Sequence, residues 1–175
     1  MLTTILLILA GIVVIILGLA AMKPPTFRVV RTATIGAPPE RIFRLLDDFH
    51  NWPAWSPWEK LDPAMQRTHS GAASGVGAHY AWAGNKKVGE GKMEILESTP
   101  PLRLKIKLDF IKPFEGHNVT EFSLAPTGSA TTVTWEMTGP SPFMMRVMGL
   151  FMNMDQMIGR DFETGLANLK AQVEG

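Results

Sequence analysis

Residues 102–110 carry the clearest pattern in this 175-residue chain: Leu102-Arg103-Leu104-Lys105-Ile106-Lys107-Leu108-Asp109-Phe110. Apolar and charged side chains alternate along the whole stretch. Successive side chains of a β-strand point to opposite faces, so this pattern predicts a strand with one buried and one solvated face. Such strands are typical of antiparallel sheets, whereas strands buried on both faces read as continuous apolar runs. The stretch therefore predicts an antiparallel sheet that the rest of the chain covers on one side.

Further predicted strands lie on both sides of this segment. They are rich in β-branched and aromatic residues and are separated by glycine and proline turns. Strands do not alternate with helices, so a βαβ nucleotide-binding fold is not expected. The approximate ranges are 26–35, a short strand after Met65, 76–82, 88–97, 119–124 and 131–137.

A short helix is predicted over residues 38–50, since prolines favour a helix start and apolar side chains recur at helical spacing. These side chains are Ile42, Leu46 and Phe49. The following loop, residues 51–58, holds three of the five tryptophans: Trp52, Trp55 and Trp58. Three interpretations of the loop stay open: a lid over a cavity, a contact with lipid headgroups, or a rigid plug under the helix.

The C-terminal region changes to a helical period, with apolar residues at steps of three and four over residues 147–169. A single helix over residues 142–174 would be about 50 Å long, too long for a compact domain of this size. We therefore expect a break within residues 149–153, followed by a terminal helix of roughly 30 Å that lies across the sheet.

Residues 1–22 contain eighteen apolar residues, and no charged residue precedes Lys23. About twenty such residues in a helix span the hydrocarbon layer of a bilayer. We predict a transmembrane anchor at 1–22, a linker at 23–25 and a folded domain at 26–175. A cleaved signal peptide is the alternative, but it would carry a cationic start and a shorter apolar core of about 7–15 residues. Cations flank only the C-terminal end, so the positive-inside rule predicts a single-pass protein of the cell membrane with a cytoplasmic domain.

The remaining composition excludes several classes of function. With 17 Lys+Arg against 16 Asp+Glu the net charge is +1, so no nucleic-acid partner is expected. The absence of cysteine excludes disulfides, thiolate nucleophiles and Cys-ligated zinc. The four histidines lack the spacing of a metal site, and no cofactor is predicted.

The order of the predicted elements and several short motifs resemble one superfamily. The matching motifs are Ile35-x-Ala37-Pro38-x-Glu40-x-Ile42-Phe43, Trp52-x-x-Trp55-Ser56-Pro57-Trp58, Gly75-Val76-Gly77, Gly89 and Gly91 with Ile95, Val133-Thr134-Trp135, and Gly165-Leu166-Ala167-Asn168-Leu169-Lys170. Over residues 26–172 the chain resembles the START-related SRPBCC superfamily, especially membrane-anchored bacterial members of the polyketide cyclase/dehydrase type. The resemblance implies an α+β helix-grip fold, in which a curved antiparallel sheet of about six or seven strands wraps on a long C-terminal helix. It implies no particular reaction, because this scaffold hosts transporters, binders and enzymes.

A cavity between the sheet and the terminal helix is expected, because the concave apolar surface exceeds what one helix fills. Six of the eleven methionines lie within residues 144–157, and flexible thioether chains suit a wall that adapts to a variable guest. The alternative is that these side chains simply fill a core. Arg31 and His79 are possible polar contacts. The residues predicted to contact a ligand are Trp82, Met93, Leu104, Ile106, Leu108, Phe122, Trp135, Met137, Met154, Ile158 and Phe162.

Three functions stay open. The first is a membrane-anchored binding module for an apolar or amphipathic small molecule, lipid or polyketide-like. The second is a cyclase/dehydrase-type enzyme acting on such a molecule; it needs an ionisable group buried in the cavity, and the inward residues offer almost none, so no catalytic residue is assigned. The third is a regulatory or assembly partner at the membrane that uses the tryptophan loop as its contact. The sequence identifies no protein partner.

Overall fold

The computed structural model describes all 175 residues. The strands are β1 (Thr26–Ile35), β2 (Gln66–Gly71), β3 (Ala78–Ala83), β4 (Glu90–Thr99), β5 (Arg103–Lys112), β6 (Gly116–Thr127) and β7 (Ala130–Pro140). The helices are α1 (Leu2–Met22), α2 (Pro39–Leu46), α3 (Phe143–Met148) and α4 (Met154–Glu174), and two 3-10 helices span Phe49–Ala54 and Pro57–Lys60. The α+β helix-grip fold predicted from the sequence is confirmed.

The seven strands form one antiparallel sheet in the order β1-β7-β6-β5-β4-β3-β2. Neighbouring strands are consecutive in the chain except β1, which pairs with β7, so β1 and β2 form the two edges. The alternation on β5 is realised, because Leu104 and Ile106 are fully buried on the concave face. Asp109 differs from the prediction of a solvated side chain: only 4% of it is exposed. It is covered because Lys107 Nζ and His117 Nδ1 lie 3.1 and 2.8 Å from its carboxylate.

The predicted break in the C-terminal helix is confirmed. Helix α3 ends at Met148, with Gly149 as its C-cap. Helix α4 starts after Asn153, whose side chain accepts a hydrogen bond from the backbone N–H of Gln156 at 3.0 Å. An Asn at this position satisfies one of the free N–H groups of a helix start. With 21 residues, α4 is about 30 Å long and lies across the sheet against β1. Its buried face includes Phe162, Leu166 and Leu169.

The first helix of the domain is shorter than predicted, because α2 ends at Leu46 and the chain continues as a 3-10 helix from Phe49. The carboxylate of Asp48 accepts a hydrogen bond from the backbone N–H of His50 at 2.9 Å, which starts that new helix. The tryptophan loop, predicted as a loop without regular structure, consists mainly of two short 3-10 helices.

Helix α1 lies outside the sheet, and Ala20 is its one buried residue. By length and composition it can cross a membrane. Its C-terminal end packs against α3, where Arg146 Nη1 donates to the carbonyl oxygen of Lys23 at 3.3 Å. The end of α1 is therefore attached to the segment that precedes α4.

Candidate ligand-binding cavity

A cavity of about 1230 Å³ lies between the sheet and α4. Ligand pockets in proteins start at about 300 Å³, so the space is large enough for a small molecule or an acyl chain. It opens to the surface, since its wall includes the exposed side chains of Phe114 and Phe151. Apolar side chains from five strands and α4 form most of the inner wall: Phe27, Tyr80, Trp82, Met93, Leu108, Phe110, Trp135, Met137, Met154, Ile158 and Phe162.

Three of the eleven residues predicted to contact a ligand do not reach the cavity. Leu104, Ile106 and Phe122 are fully buried in the adjoining core. The reason is that the tryptophan loop fills this end: Phe122 packs against Trp52 and Trp55, with ring centroids 6.3 and 6.0 Å apart. The other eight line the wall: Trp82, Met93, Leu108, Trp135, Met137, Met154, Ile158 and Phe162.

Stacked aromatic rings form the boundary between the core and the cavity. Trp135 lies parallel to Phe162 of α4, with centroids 4.1 Å apart and an angle of 5° between the rings. The indole N–H of Trp135 donates to Thr120 Oγ1 at 2.8 Å, and that hydroxyl donates to the carbonyl oxygen of Glu136 at 2.9 Å. The polar atoms of this layer are thus satisfied within the protein, and the face toward the cavity is apolar.

Two of the three indoles of the tryptophan loop form a plug at one end of the space between the sheet and α4. Trp52 and Trp55 are buried, and their indole N–H groups donate to the carbonyl oxygens of Leu46 and Leu45, both at 3.0 Å. Their burial agrees with the interpretation as a plug, and Trp52 also lines the cavity at this end. Trp58 is half-buried and forms part of the cavity wall.

Trp82 occupies its place in the wall because Gly91, its partner on β4, has no side chain. A Cβ at Gly91 would lie 2.4 Å from the Trp82 ring. The indole N–H donates to the carbonyl oxygen of Val88 at 3.0 Å, which fixes the ring across the glycine. A glycine in a strand often marks such a close approach.

Neither polar contact predicted from the sequence reaches the cavity. Arg31 faces α4 as its strand parity requires, but it lies across Gly159, where a Cβ would come within 1.9 Å of Nη2. Its guanidinium donates to Glu163 at 2.7 Å and to Asp155 at 3.0 Å, so it ties β1 to α4. His79 is exposed, because Ala78 and Tyr80 on either side of it occupy the concave face.

A buried carboxylate that the sequence did not reveal lies in the cavity wall. Only 5% of the Glu59 side chain is exposed. Its oxygens accept hydrogen bonds from the Tyr80 hydroxyl and from Arg67 Nε, the latter at 2.6 Å. Burial, together with the neighbouring Glu59, raises the pKa of the Tyr80 hydroxyl above its ordinary value. The three residues come from separate elements, and the only signal in the sequence is that Tyr80 shares strand parity with Trp82.

Asp161 is a second carboxyl group in the wall that was missed. It is half-buried, and this burial raises its pKa above the usual range for aspartate, while the Trp58 indole acts in the opposite direction. The signal that points to it is helical spacing, since Ile158 at i−3 and Met154 at i−7 also line the cavity. No group of three or more His, Asp or Glu side chains is arranged to hold a metal ion.

Comparison with protein families assigns the domain that encloses this cavity. Residues 26–174 match the family described as polyketide cyclase / dehydrase and lipid transport. The chain belongs to this family. The matched range begins at β1 and ends with α4, so it covers the sheet and helix that enclose the cavity and leaves α1 outside. Among curated protein sequences, none matches the chain.

Solved structures show the same polyketide cyclase/dehydrase-like fold at low sequence identity. Protein CV1439 from Chromobacterium violaceum is 19% identical, with a TM-score of 0.60 over 87% of this chain and 99% of that one. Protein MLL2253 from Mesorhizobium loti is 22% identical, with a TM-score of 0.59 over 85% and 97%. DynU16, a protein of the dynemicin biosynthetic locus, is 16% identical, with a TM-score of 0.57 over 84% of this chain and 47% of its own. These likenesses establish the fold.

Proposed function

We propose that this protein is a membrane-anchored binding module for an apolar or amphipathic small molecule, lipid or polyketide-like, held between the sheet and α4. The observation that carries this proposal is the cavity of about 1230 Å³ with its largely apolar wall. An unfilled apolar space forfeits packing contacts, and a guest restores them. The description of the family, which includes lipid transport, and the biosynthetic locus of DynU16 support this class of ligand.

The hydrogen bonds of the wall favour a guest that is mainly apolar. The indole N–H groups of Trp82 and Trp135 donate to Val88 and Thr120, and the Tyr80 hydroxyl donates to Glu59. The deeper wall therefore offers a guest few free donors. A polar molecule would lose its hydration there without replacement, which is unfavourable.

The anchor is the second part of the proposal. Helix α1 has the length and composition of a membrane span, and Lys23 follows it directly. We expect the protein to remain in the membrane during a carbonate wash, and we expect its domain to be digested only when protease reaches the cytoplasmic side. Release of the intact chain by carbonate would contradict the proposed anchor and would leave the proposed binding role unaffected.

The binding role is tested by gentle purification from membranes followed by extraction and mass spectrometry. Leu108→Trp places a large ring in the cavity, whereas Leu102→Trp makes the same change at a side chain that is exposed and outside the wall. We expect an apolar guest to co-purify with the native protein and with Leu102→Trp, and several-fold less of it with Leu108→Trp. Equal recovery from all three, or no guest from any, would contradict the proposal.

A cyclase/dehydrase-type reaction is the second candidate, and Asp161 is the observation that favours it. Burial raises the pKa of this carboxyl group in the cavity wall, which is the property a general acid needs. The reaction is distinguished from binding by incubating the recovered guest with the purified protein. Loss of one water from the guest, or an isomer of the same mass with a different retention time, formed by the native protein and not by Asp161→Asn, would establish an enzyme. A guest unchanged in both mass and retention time would leave the binding role.

The third role, a protein partner docked on the tryptophan loop, has less support. Trp52 and Trp55 are buried and hydrogen-bonded inside the domain, so they present no contact surface.

A further inference from the structure

Arg146 of α3 lines the cavity, and its guanidinium has an N–H group that makes no hydrogen bond within the protein. Its Nε is buried and has no hydrogen-bond partner. Its Nη1 makes only long contacts, at 3.3 Å to the carbonyl oxygen of Lys23 and 3.5 Å to that of Ala21. The Phe143 ring lies 5.3 Å from the guanidinium carbon and covers part of the group. A buried donor on a charged group is costly when it has no partner, so this site is suited to an external acceptor.

Lys23 adds a second cation at the same place. It also lines the cavity, and its ammonium donates to the carbonyl oxygen of Gly149, three residues after Arg146. Neither Lys23 nor Arg146 forms an ion pair with a carboxylate. The arginines of the sheet are different, since each of them does: Arg28, Arg31, Arg67 and Arg103.

None of the four carboxylates in the cavity wall pairs with Lys23 or Arg146. Three of them pair with other side chains: Asp155 with Arg31, Glu59 with Arg67, and Glu115 with His117. The fourth, Asp161 on α4, forms no ion pair with Lys23 or Arg146. Lys87, in the turn between β3 and β4, is a further unpaired cation of the wall. None of these four carboxylates therefore pairs with Lys23, Lys87 or Arg146, the lysines and the arginine of the cavity wall.

The two cations lie at the C-terminal end of α1, the proposed membrane anchor. Lys23 follows directly on α1, and Arg146 contacts the last turn of that helix. When α1 spans a bilayer, residues at its end lie at the level of the lipid headgroups. The exposed rings of Phe114 and Phe151 line the same cavity and provide an apolar edge there.

We propose that Arg146 and Lys23 bind the phosphate head group of an amphiphile taken from the bilayer, while its acyl chain occupies the cavity. This inference rests on the proposed function, because it needs a cavity that accepts the chain. A guanidinium binds phosphate through two parallel N–H donors. The Nε of Arg146 has no partner in the protein and supplies one of these donors. An uncharged head group would not need this charged donor.

The test uses the full chain in phosphatidylcholine nanodiscs and two probes with the same dibromostearoyl chain. One probe is a lysophosphatidate and carries a phosphate; the other is a monoacylglycerol and is neutral. Bromine quenches tryptophan at short range, α1 contains no tryptophan, and Trp52, Trp58, Trp82 and Trp135 line the cavity. Quenching therefore reports entry of the chain, whichever head group it carries.

We expect the lysophosphatidate to quench at about tenfold lower mole fraction than the neutral probe, the effect of one charge-assisted hydrogen bond. Arg146→Gln should abolish this preference and leave quenching by the neutral probe unchanged, which also shows that the variant is folded. Arg146→Lys should keep part of the preference. The matched control is Arg44→Gln on α2, an exposed arginine outside the cavity wall, and it should behave as the native protein.

The outcomes separate this inference from the proposed function. Absence of quenching by both probes would overturn both. Equal quenching by the two probes in the native protein, or a preference that survives in Arg146→Gln and in the double variant with Lys23→Gln, would overturn the head-group site and leave the cavity function standing. Inorganic phosphate at the probe's concentration should change nothing, because it has no chain; full displacement would assign the site to free phosphate and overturn the amphiphile.

Discussion

One half of the space between the sheet and α4 is packed solid, whereas the other half is the cavity. In the packed half Trp55 and Phe122 are fully buried and in contact. The same strand serves both halves: on β5, Ile106 is fully buried in the core and Leu108, two residues on, is half-buried in the cavity wall. Alternation therefore identifies the covered face of a strand, but it does not show whether the space above that face is filled.

The difference between the halves comes from the segments that cover them. The two 3-10 helices insert Trp52 and Trp55 at the packed end, with their indoles bonded to the end of α2. At the other end the break before Met154 leaves α3 packed against α1 and not over the sheet. Residues of α3 and of the segment that joins it to α4 line the space that remains there and do not fill it.

Shortening a side chain to alanine should give the largest difference in free energy of unfolding between the packed half and the cavity half. Ile106→Ala removes buried methyl groups from the core and should lower the free energy of unfolding by about 2–5 kcal/mol. Leu108→Ala only widens an existing cavity and should cost less than about 1.5 kcal/mol. Urea unfolding of the full chain in detergent, followed by tryptophan fluorescence, measures both. Equal losses would show that Leu108 belongs to a closed core.

Replacing either residue by a larger one should also distinguish the packed core from the cavity, with a smaller effect on the free energy of unfolding. Ile106→Phe overfills a packed site and should cost about 1–3 kcal/mol. Leu108→Phe projects into open space, so its free energy of unfolding should stay close to that of the native protein while less guest co-purifies. A large destabilisation by Leu108→Phe would mean that the cavity is already filled by the protein itself.

The smallest effect concerns His69, which lies beside Tyr80 at the edge of the cavity, with ring centroids 5.1 Å apart. Burial lowers the pKa of His69, and repulsion from His50, stacked at 4.1 Å, adds to this. The unfolded chain therefore binds this proton more readily than the folded one. The stabilisation from neutral His69 is present above the ordinary histidine pKa of about 6.5 and is lost as the pH falls through the folded value.

The variant His69→Gln should weaken the loss of free energy of unfolding as the pH falls below about 6.5. Unfolding experiments at a series of pH values measure this loss. His79→Gln, a change at an exposed histidine one strand away, is the matched control and should leave the profile as it is. A profile that His69→Gln does not alter would place the proton on another group.

Much of the architecture was predictable because it depends on local periodicity. The alternation on β5 and the impossibility of one rod from residue 142 to residue 174 led to the sheet and to the helix break, and both are confirmed. The cavity residues were predictable by face but not by position along the strand. Leu104 and Leu108 have the same parity, and only the tryptophan plug distinguishes them.

The polar residues of the cavity were largely out of reach of the sequence. Glu59 sits on a 3-10 helix, and its partners Arg67 and Tyr80 sit on two strands, so no spacing rule connects them. Arg31, predicted as a possible polar contact, lies on the inward face of β1, but its guanidinium packs across Gly159 of α4 and does not line the cavity. Arg146 lies in the methionine-rich stretch, whose composition predicts only an apolar wall.

The sequence by itself determined which faces are apolar, where the chain must turn, and that one long apolar segment precedes the domain, because these follow from residue type and spacing. The tertiary structure decided which part of the apolar face is covered and which is left as a cavity. It also decided which charges find partners and which, like Arg146, remain free. Those outcomes depend on segments far apart in the chain meeting in space, and no local pattern records such a meeting.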